Sequence, residues 1–268
     1  MPKAEIRGTE LHYKRSGEGE PLLLIQGMSG THLSWGEPLL GLLEESFEVV
    51  VFDHRGIGLS APFDGPLTIA EMAADTAELL DRLEIERAHV VGISMGGMIA
   101  QELALAHPGR LRSLTLGCTY CGGAGSKLMP EENAQKLLGG MASGSRDEAI
   151  RASYEVNLSP AFRADEGRYA AFHEMATKVP AARRTIELQA QAIFGHDTSG
   201  RIGEIGAPTL IVHGTEDGVL PVANGHLIAS LMAEARLEIL EGVGHMFWWE
   251  QPERSAELIR EHALALSA

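Results

Sequence analysis

Five residues constrain this chain more than any others: Gly92-Ile93-Ser94-Met95-Gly96, inside the stretch "AHVVGISMGGMIAQELALAHP". An apolar run, "AHVVGI", leads into them, and a helix-forming run leads out until Pro108 and Gly109 stop it. Glycine weakens both strands and helices, so the glycines crowded around one serine need a steric reason. Gly-x-Ser-x-Gly between a strand and a helix is the pattern of a nucleophile elbow. The tight turn strains the serine backbone and points its hydroxyl out above the sheet. Side chains two residues before and after would collide across such a turn, and Gly92 and Gly96 remove them. The helix start turns free N–H groups and the positive end of its dipole toward the serine. The Met95 N–H is thereby placed to stabilise an oxyanion. Gly97 lies one residue deeper and is expected to allow close packing instead.

The flanking sequence repeats this strand-and-helix alternation. "PLLLIQG", "EVVVFDHRG", "AHVVGI" and "LRSLTLGC" are short apolar runs of the kind buried on both faces of a sheet. "LTIAEMAADTAELLDRL" has helical spacing, with Thr68 and Glu71 as a capping box at its start. "AEIR" and "ELHYKR" form a hairpin around Gly8-Thr9. From 119 to 203 the alternation breaks into polar helical segments, "EENAQKLLGGMASG", "SRDEAIRASYEVN" and "GRYAAFHEMATKV". It resumes at "PTLIVHG", followed by "PVANGHLIASLMA", "ARLEILEG" and the helix "QPERSAELIREHALALS". The expected fold is α/β, a mostly parallel sheet flanked by helices. Residues 1–118 and 204–268 form its core and 119–203 a helical insertion.

A serine hydroxyl needs a base, and the base needs an acid. Sites in open parallel sheets form at the carboxyl ends of strands. His213 and His245 both fall there late in the chain. His245 follows the last strand, with Gly242 and Gly244 just before it, on a loop able to turn back over the sheet edge, and is the expected base. His213 is expected to point into packing. "HGTEDGVLP" offers Glu216 and Asp217 as the acid, and the turn at Gly218 and Pro221 favours Asp217. The second oxyanion donor is expected in "QGMSGTHLSW", at the N–H of Met28, with Gly27 and Gly30 letting that loop approach the serine.

Composition excludes more than it selects. The 268 residues carry 22 Lys and Arg against 37 Asp and Glu, a net charge of −15 that argues against nucleic-acid or anionic-membrane partners. No leader-like apolar run follows the first basic residues and no run is long enough to span a bilayer, so the expected location is cytoplasmic. Cys118 and Cys121 are the only cysteines. They lack the second pair a zinc site needs and any thioredoxin-like context, and read as reduced thiols at a strand end. Neither a metal nor a cofactor is expected.

Taken in order, "VVVFDHRGIGLS", "HVVGISMGGMIAQELALAHPGRLRSLTL", "PTLIVHGTEDGVLP" and "GVGHMFWWEQP" resemble the α/β-hydrolase superfamily, in particular its small serine esterases and enol-lactonase-like members. The resemblance covers essentially the whole chain. It implies the fold, a Ser94, Asp217, His245 triad, and a cap domain inserted after the sixth strand. It also implies that Asp53 and Arg55 of "DHRG" brace loops near the site and that His54 is not catalytic. A serine at the elbow sets the chain apart from relatives that use an aspartate nucleophile. The sequence departs from the pattern where many members have His-Gly and this chain has Gln26-Gly27. An amide at Gln26 is then expected to hold the oxyanion loop by hydrogen bonds.

Apolar residues crowd the loops around this site: Met28, Trp35, Met95, Met98, Met246, Phe247, Trp248 and Trp249. Methionines and aromatics suit irregular apolar ligands. Gly27, Trp35, Met246 and Phe247 are the expected pocket lining, and Met98 and Trp249 core filling. The insertion adds Met129, Met141, Phe172 and Met175, together with Arg163, Arg168, Arg183 and Arg184, any of which could face a carboxylate. The expected activity is hydrolysis of small or medium apolar carboxylic esters through an acyl-enzyme. An enol lactone of the 3-oxoadipate type, a carbon–carbon bond beside a ketone, and a ligand receptor on a hydrolase scaffold remain as alternatives. Oligomeric state is not legible.

Overall fold

The computed structural model describes residues 2–179 and 181–265. Eight strands form one sheet in the order β1-β2-β4-β3-β5-β6-β7-β8. They are β1 (Lys3–Ile6), β2 (Thr9–Ser16), β3 (Glu20–Ile25), β4 (Phe47–Phe52), β5 (Ala88–Ile93), β6 (Leu111–Gly117), β7 (Thr209–Gly214) and β8 (Arg236–Leu240). Strands β3 to β8 run parallel, and β1 and β2 join antiparallel at one edge. The hairpin turn falls on Arg7 and Gly8, one residue earlier than the sequence suggests. Both have positive φ, 46° and 78°, as the hairpin-favoured turn requires.

The helices are α1 (Glu37–Glu44), α2 (Ile69–Arg82), α3 (Met95–Ala106), α4 (Glu131–Ala142), α5 (Arg146–Asn157), α6 (Pro160–Arg163), α7 (Gly167–Lys178), α8 (Arg183–Phe194), α9 (Ala223–Leu231), α10 (Phe247–Glu250) and α11 (Pro252–Leu264). The expected capping box at Thr68 and Glu71 opens α2. None of the described helices is long and apolar enough to cross a membrane.

Alternation along the strands explains why the apolar runs are unbroken. Leu23, Ile25, Val50, Phe52 and Val90 enter a core with residues of α2 and α3. Their neighbours Leu22, Leu24, Val49, Val51 and Val91 enter a second core on the opposite face with residues of α1 and α11. Strands β3, β4, β5 and β7 each feed both cores, which leaves little room for polar residues along them.

Helices α4 to α8 lie between β6 and β7. The ends of the expected insertion nevertheless stay in the sheet domain's packing. Cys118, Thr119, Tyr120 and Cys121 are buried, and the Thr198 N–H donates to the Cys121 carbonyl at 2.8 Å. The helical excursion itself begins only at Glu131.

Topology decides where a ligand can bind. Strand β3 has β4 on one side and β5 on the other, so the connections leaving β3 and β5 diverge and open a crevice at their carboxyl ends. The loop after β3 and Ser94 after β5 flank that crevice, with Ile25 opposite Gly92 in register.

Candidate active site

From Ala88 to Gln101 every residue is buried except Ser94. Its backbone has φ 52° and ψ −122°, a conformation rare for a residue with a side chain. The glycines have the roles their positions imply. A Cβ on Gly92 would overlap the Gly96 carbonyl, and one on Gly96 would overlap the Ile25 carbonyl, so the elbow also presses against the end of β3. A Cβ on Gly97 would come within 2.7 Å of the Thr119 hydroxyl oxygen. That hydroxyl donates to the Ser94 carbonyl at 2.7 Å, so Gly97 does permit close packing, and the packing supports the elbow.

His245, on the loop after β8, and Asp217, after β7, are joined. Nδ1 of His245 lies 2.9 Å and 2.8 Å from the two Asp217 oxygens. A carboxylate only accepts, so Nδ1 carries the proton and Nε2 keeps the lone pair. Asp217 is buried and well held: Oδ1 accepts the N–H groups of Val219 and Leu220, both at 2.8 Å. Burial alone would raise its pKa. Electrostatic attraction to His245 and hydrogen bonds from His213 and His245 outweigh it and hold the carboxyl well below the usual range.

His213 is more than packing. Its Nε2 lies 2.7 Å from the Leu220 carbonyl and 3.1 Å from Asp217 Oδ2. Both are acceptors, so Nε2 bears the proton and supplies Asp217 with a second imidazole donor. No sequence pattern separates this role from core filling.

Cys118 lies beside Asp217 and His245. Its sulfur and the ligand atoms of Asp217 and His245 all fall within 4.8 Å of one another. Burial and the Asp217 charge push the thiol well above its ordinary pKa, so it is a neutral neighbour at neutral pH. Ser94 reaches the same corner through the sheet, its N–H donating to the Gly117 carbonyl at 2.9 Å. Ser94 Oγ and His245 Nε2 each carry no hydrogen bond among the described residues.

In the loop after β3, the Gly27 N–H donates to Gln26 Oε1 at 3.0 Å, the Ser29 N–H to Gln189 Oε1 at 2.8 Å, and the Gly30 N–H to the Gly27 carbonyl at 3.2 Å. Met28 has the one N–H of these four without an acceptor among the described residues. Met95, first in α3, has no intrahelical acceptor either. Gly27 lies against the elbow: a Cβ there would be 3.5 Å from Ser94 Oγ. The Gln26 amide thus meets the loop through one hydrogen bond, from the adjacent Gly27 N–H, and its nitrogen has no partner among the described residues.

The "DHRG" residues divide the bracing. The His54 ring N–H donates to the Gln26 carbonyl at 2.9 Å. Asp53 accepts the His32 N–H at 2.6 Å and lies 3.0 Å from its ring. Arg55 turns away from the site loops and pairs with Asp75 on α2. The His245 loop is tied to the inserted helices, because Glu250 accepts the N–H groups of Ser159 and Gly244 at 2.7 Å and 3.0 Å.

Trp35 and Phe247 are fully buried, and Met246 nearly so, all in the second core. Met98 is buried in the first core. Trp248 and Trp249 both donate their indole N–H to the Ser34 carbonyl, at 3.0 Å and 2.9 Å. The four arginines singled out in the insertion are engaged: Arg163 with the Leu158 carbonyl, Arg168 with Asp165, Arg183 with Glu187 and Arg184 with Asp64.

A family model described as "Alpha/beta hydrolase family" matches residues 22–258. A protein of Azorhizobium caulinodans, provisionally named carbamate hydrolase RutD, is 31% identical over 262 residues, 97% of each chain. The 3-oxoadipate enol-lactonase 2 of Acinetobacter baylyi is 28% identical over 91% of this chain and 89% of its own. The crystal structure of the enol-lactonase from Burkholderia xenovorans superposes with a TM-score of 0.84 at 25% identity, covering 98% of this chain and 100% of that one.

Proposed function

The chain belongs to the α/β-hydrolase family, and from that premise we propose that it is a serine hydrolase of carboxylic esters, with Ser94 as nucleophile, His245 as base and Asp217 as the acid that orients it. The observation that carries the reading is the Asp217–His245 pair. Two oxygens on Nδ1 fix the tautomer in which Nε2 can take a proton, at the same edge of the sheet as the half-buried Ser94.

Ser94 Oγ attacks the acyl carbon as Nε2 accepts its proton. The oxyanion receives the Met28 and Met95 N–H groups, both without other acceptors. His245 then protonates the leaving alcohol, and water activated by the same nitrogen releases the acid. In unliganded sites a serine–histidine bond is often long and tightens in the productive complex. Helices α4 to α8 serve as a cap over the crevice, with Gly27 and Met246 shaping its apolar wall and the fully buried Trp35 and Phe247 packed behind it in the second core. The engaged arginines of the insertion favour an uncharged ester over an anionic lactone.

The relative named for carbamate hydrolysis supports a second substrate, a carbamate, since the same groups can attack that carbonyl. A panel of p-nitrophenyl esters of increasing acyl length, an enol lactone and a carbamate, run against the protein and its Ser94→Ala variant, tests both. Multiple turnover of neutral esters, lost by several orders of magnitude in the variant, is expected. Retention of most activity without the hydroxyl contradicts the mechanism. Turnover of the carbamate alone replaces the ester as substrate.

A further inference from the structure

The buried face of α8 is Thr185, Leu188, Gln189 and Ala192, the spacing of a helix packed on a core. Gln189 stands at its centre with no accessible surface. Its amide nitrogen has no partner among the described residues. Its amide oxygen makes one hydrogen bond, to the Ser29 N–H at 2.8 Å, which also fixes which end of the amide is oxygen. Burying an unpaired amide donor costs about 1–3 kcal/mol, and an apolar residue would pack this face without that cost. What Gln189 adds is its grip on the loop after β3.

That grip falls where the loop is strained. Gly27 to Gly30 form a tight turn closed by the Gly30 N–H on the Gly27 carbonyl. Within it Ser29 alone has positive φ, 60°, the pattern of a type II turn, which normally places glycine at that position. Such conformations cost about 1–3 kcal/mol and persist only where surroundings over-determine them. The alternative turn reverses the peptide between Met28 and Ser29. Gln189 Oε1 holds the N–H of that peptide, and the next peptide back carries the Met28 N–H.

We propose that Gln189 is a positioning residue for the oxyanion loop, holding the Ser29 N–H so that the Met28 N–H stays aimed at the reacting carbonyl, and that the inserted helices act on acyl transfer through this bond. The proposal rests on the serine-esterase reading and on Met28 as an oxyanion donor. It predicts an effect on the transition state more than on substrate binding, because the oxyanion exists only there.

The test uses p-nitrophenyl butyrate and a trifluoromethyl ketone, which forms a tetrahedral adduct with an active serine. Gln189→Leu removes the acceptor at similar volume. Gln189→Met is the second variant, made in case leucine prevents folding. Gln191→Leu, on the exposed side of the same helix, controls for changes to α8. The expected result is a fall in kcat of ten- to a hundredfold, KM within threefold of the unsubstituted protein, and ketone inhibition weakened by the same factor as kcat. The control keeps its kcat. If a folded Gln189 variant keeps kcat and ketone affinity within threefold, the proposal is overturned while the esterase reading stands. If the unsubstituted protein and its Ser94→Ala variant hydrolyse the ester equally, the esterase reading fails and the proposal with it.

Discussion

Replacing Asp217 with asparagine changes one oxygen into a nitrogen, and the surrounding bonds determine which. Oδ1 accepts the N–H groups of Val219 and Leu220, so the asparagine oxygen must stay there. The new NH2 then occupies the Oδ2 position, facing the protons on His213 Nε2 and His245 Nδ1. His213 keeps the Leu220 carbonyl as an acceptor. His245 keeps only Oδ1, 2.9 Å from Nδ1 and already accepting two backbone N–H groups, and with the amide NH2 at the Oδ2 position its favoured response is to move its proton to Nε2 and accept the amide at Nδ1. The nitrogen needed as base is then protonated. The same inversion in a serine protease lowers kcat by ~10⁴, equivalent to about 5 kcal/mol at the transition state. Steady-state hydrolysis of p-nitrophenyl butyrate measures the loss, and denaturant unfolding checks that the variant is folded. A folded Asp217→Asn protein with kcat within tenfold of the unsubstituted protein means that Asp217 does not set the tautomer of the base.

Other perturbations have equally definite outcomes. Gly96→Ala drives a Cβ into the Ile25 carbonyl, which cannot move without shifting β3. It should cost stability near the upper end of the ~1–3 kcal/mol range for overpacking, together with most ester hydrolysis; unchanged unfolding and kinetics would contradict the elbow packing. Gly139→Ala, in exposed helical backbone with nothing within 4 Å of the new Cβ, should stabilise by about 0.5–1 kcal/mol in the same unfolding assay, and destabilisation would show a hidden contact. Burial lowers His196 from 6.5 to about 4, so the unfolded chain takes up this proton first as pH falls. The stability from keeping it neutral is complete above pH 6.5 and lost toward pH 4, amounting to ~3 kcal/mol. His196→Gln should flatten that part of the stability–pH curve, and an unchanged slope would remove His196 as its source.

The sheet was legible because its central strands β3, β4 and β5 feed two cores and leave nearly uninterrupted apolar runs. Helix α1 was not: its sequence, "EPLLGLLE", is short, carries Gly41 mid-helix, and repeats the apolar texture of the strands beside it. Helix α8 was also missed. Its buried stripe contains Thr185 and Gln189, which periodicity counts as polar. Candidate site residues could be read where backbone geometry demands a residue type, as at Gly92, Ser94 and Gly96. They could not be read where a partner comes from far along the chain. Arg55 pairs with Asp75, 20 positions on, and Gln189 reaches Ser29 across 160. His213 lies near the end of β7 and His245 on the loop after β8, and only the fold shows that both hold the Asp217 carboxylate.

The most direct measurement is mass spectrometry of the protein after brief reaction with a fluorophosphonate and, separately, with a slowly deacylating p-nitrophenyl ester. One adduct per chain is expected, on the peptide containing Ser94, absent from Ser94→Ala and strongly slowed in His245→Ala. Adduct formation on another residue, or an unmodified Ser94 in a protein that is turning over the ester, would contradict the assignment of Ser94 as the nucleophile.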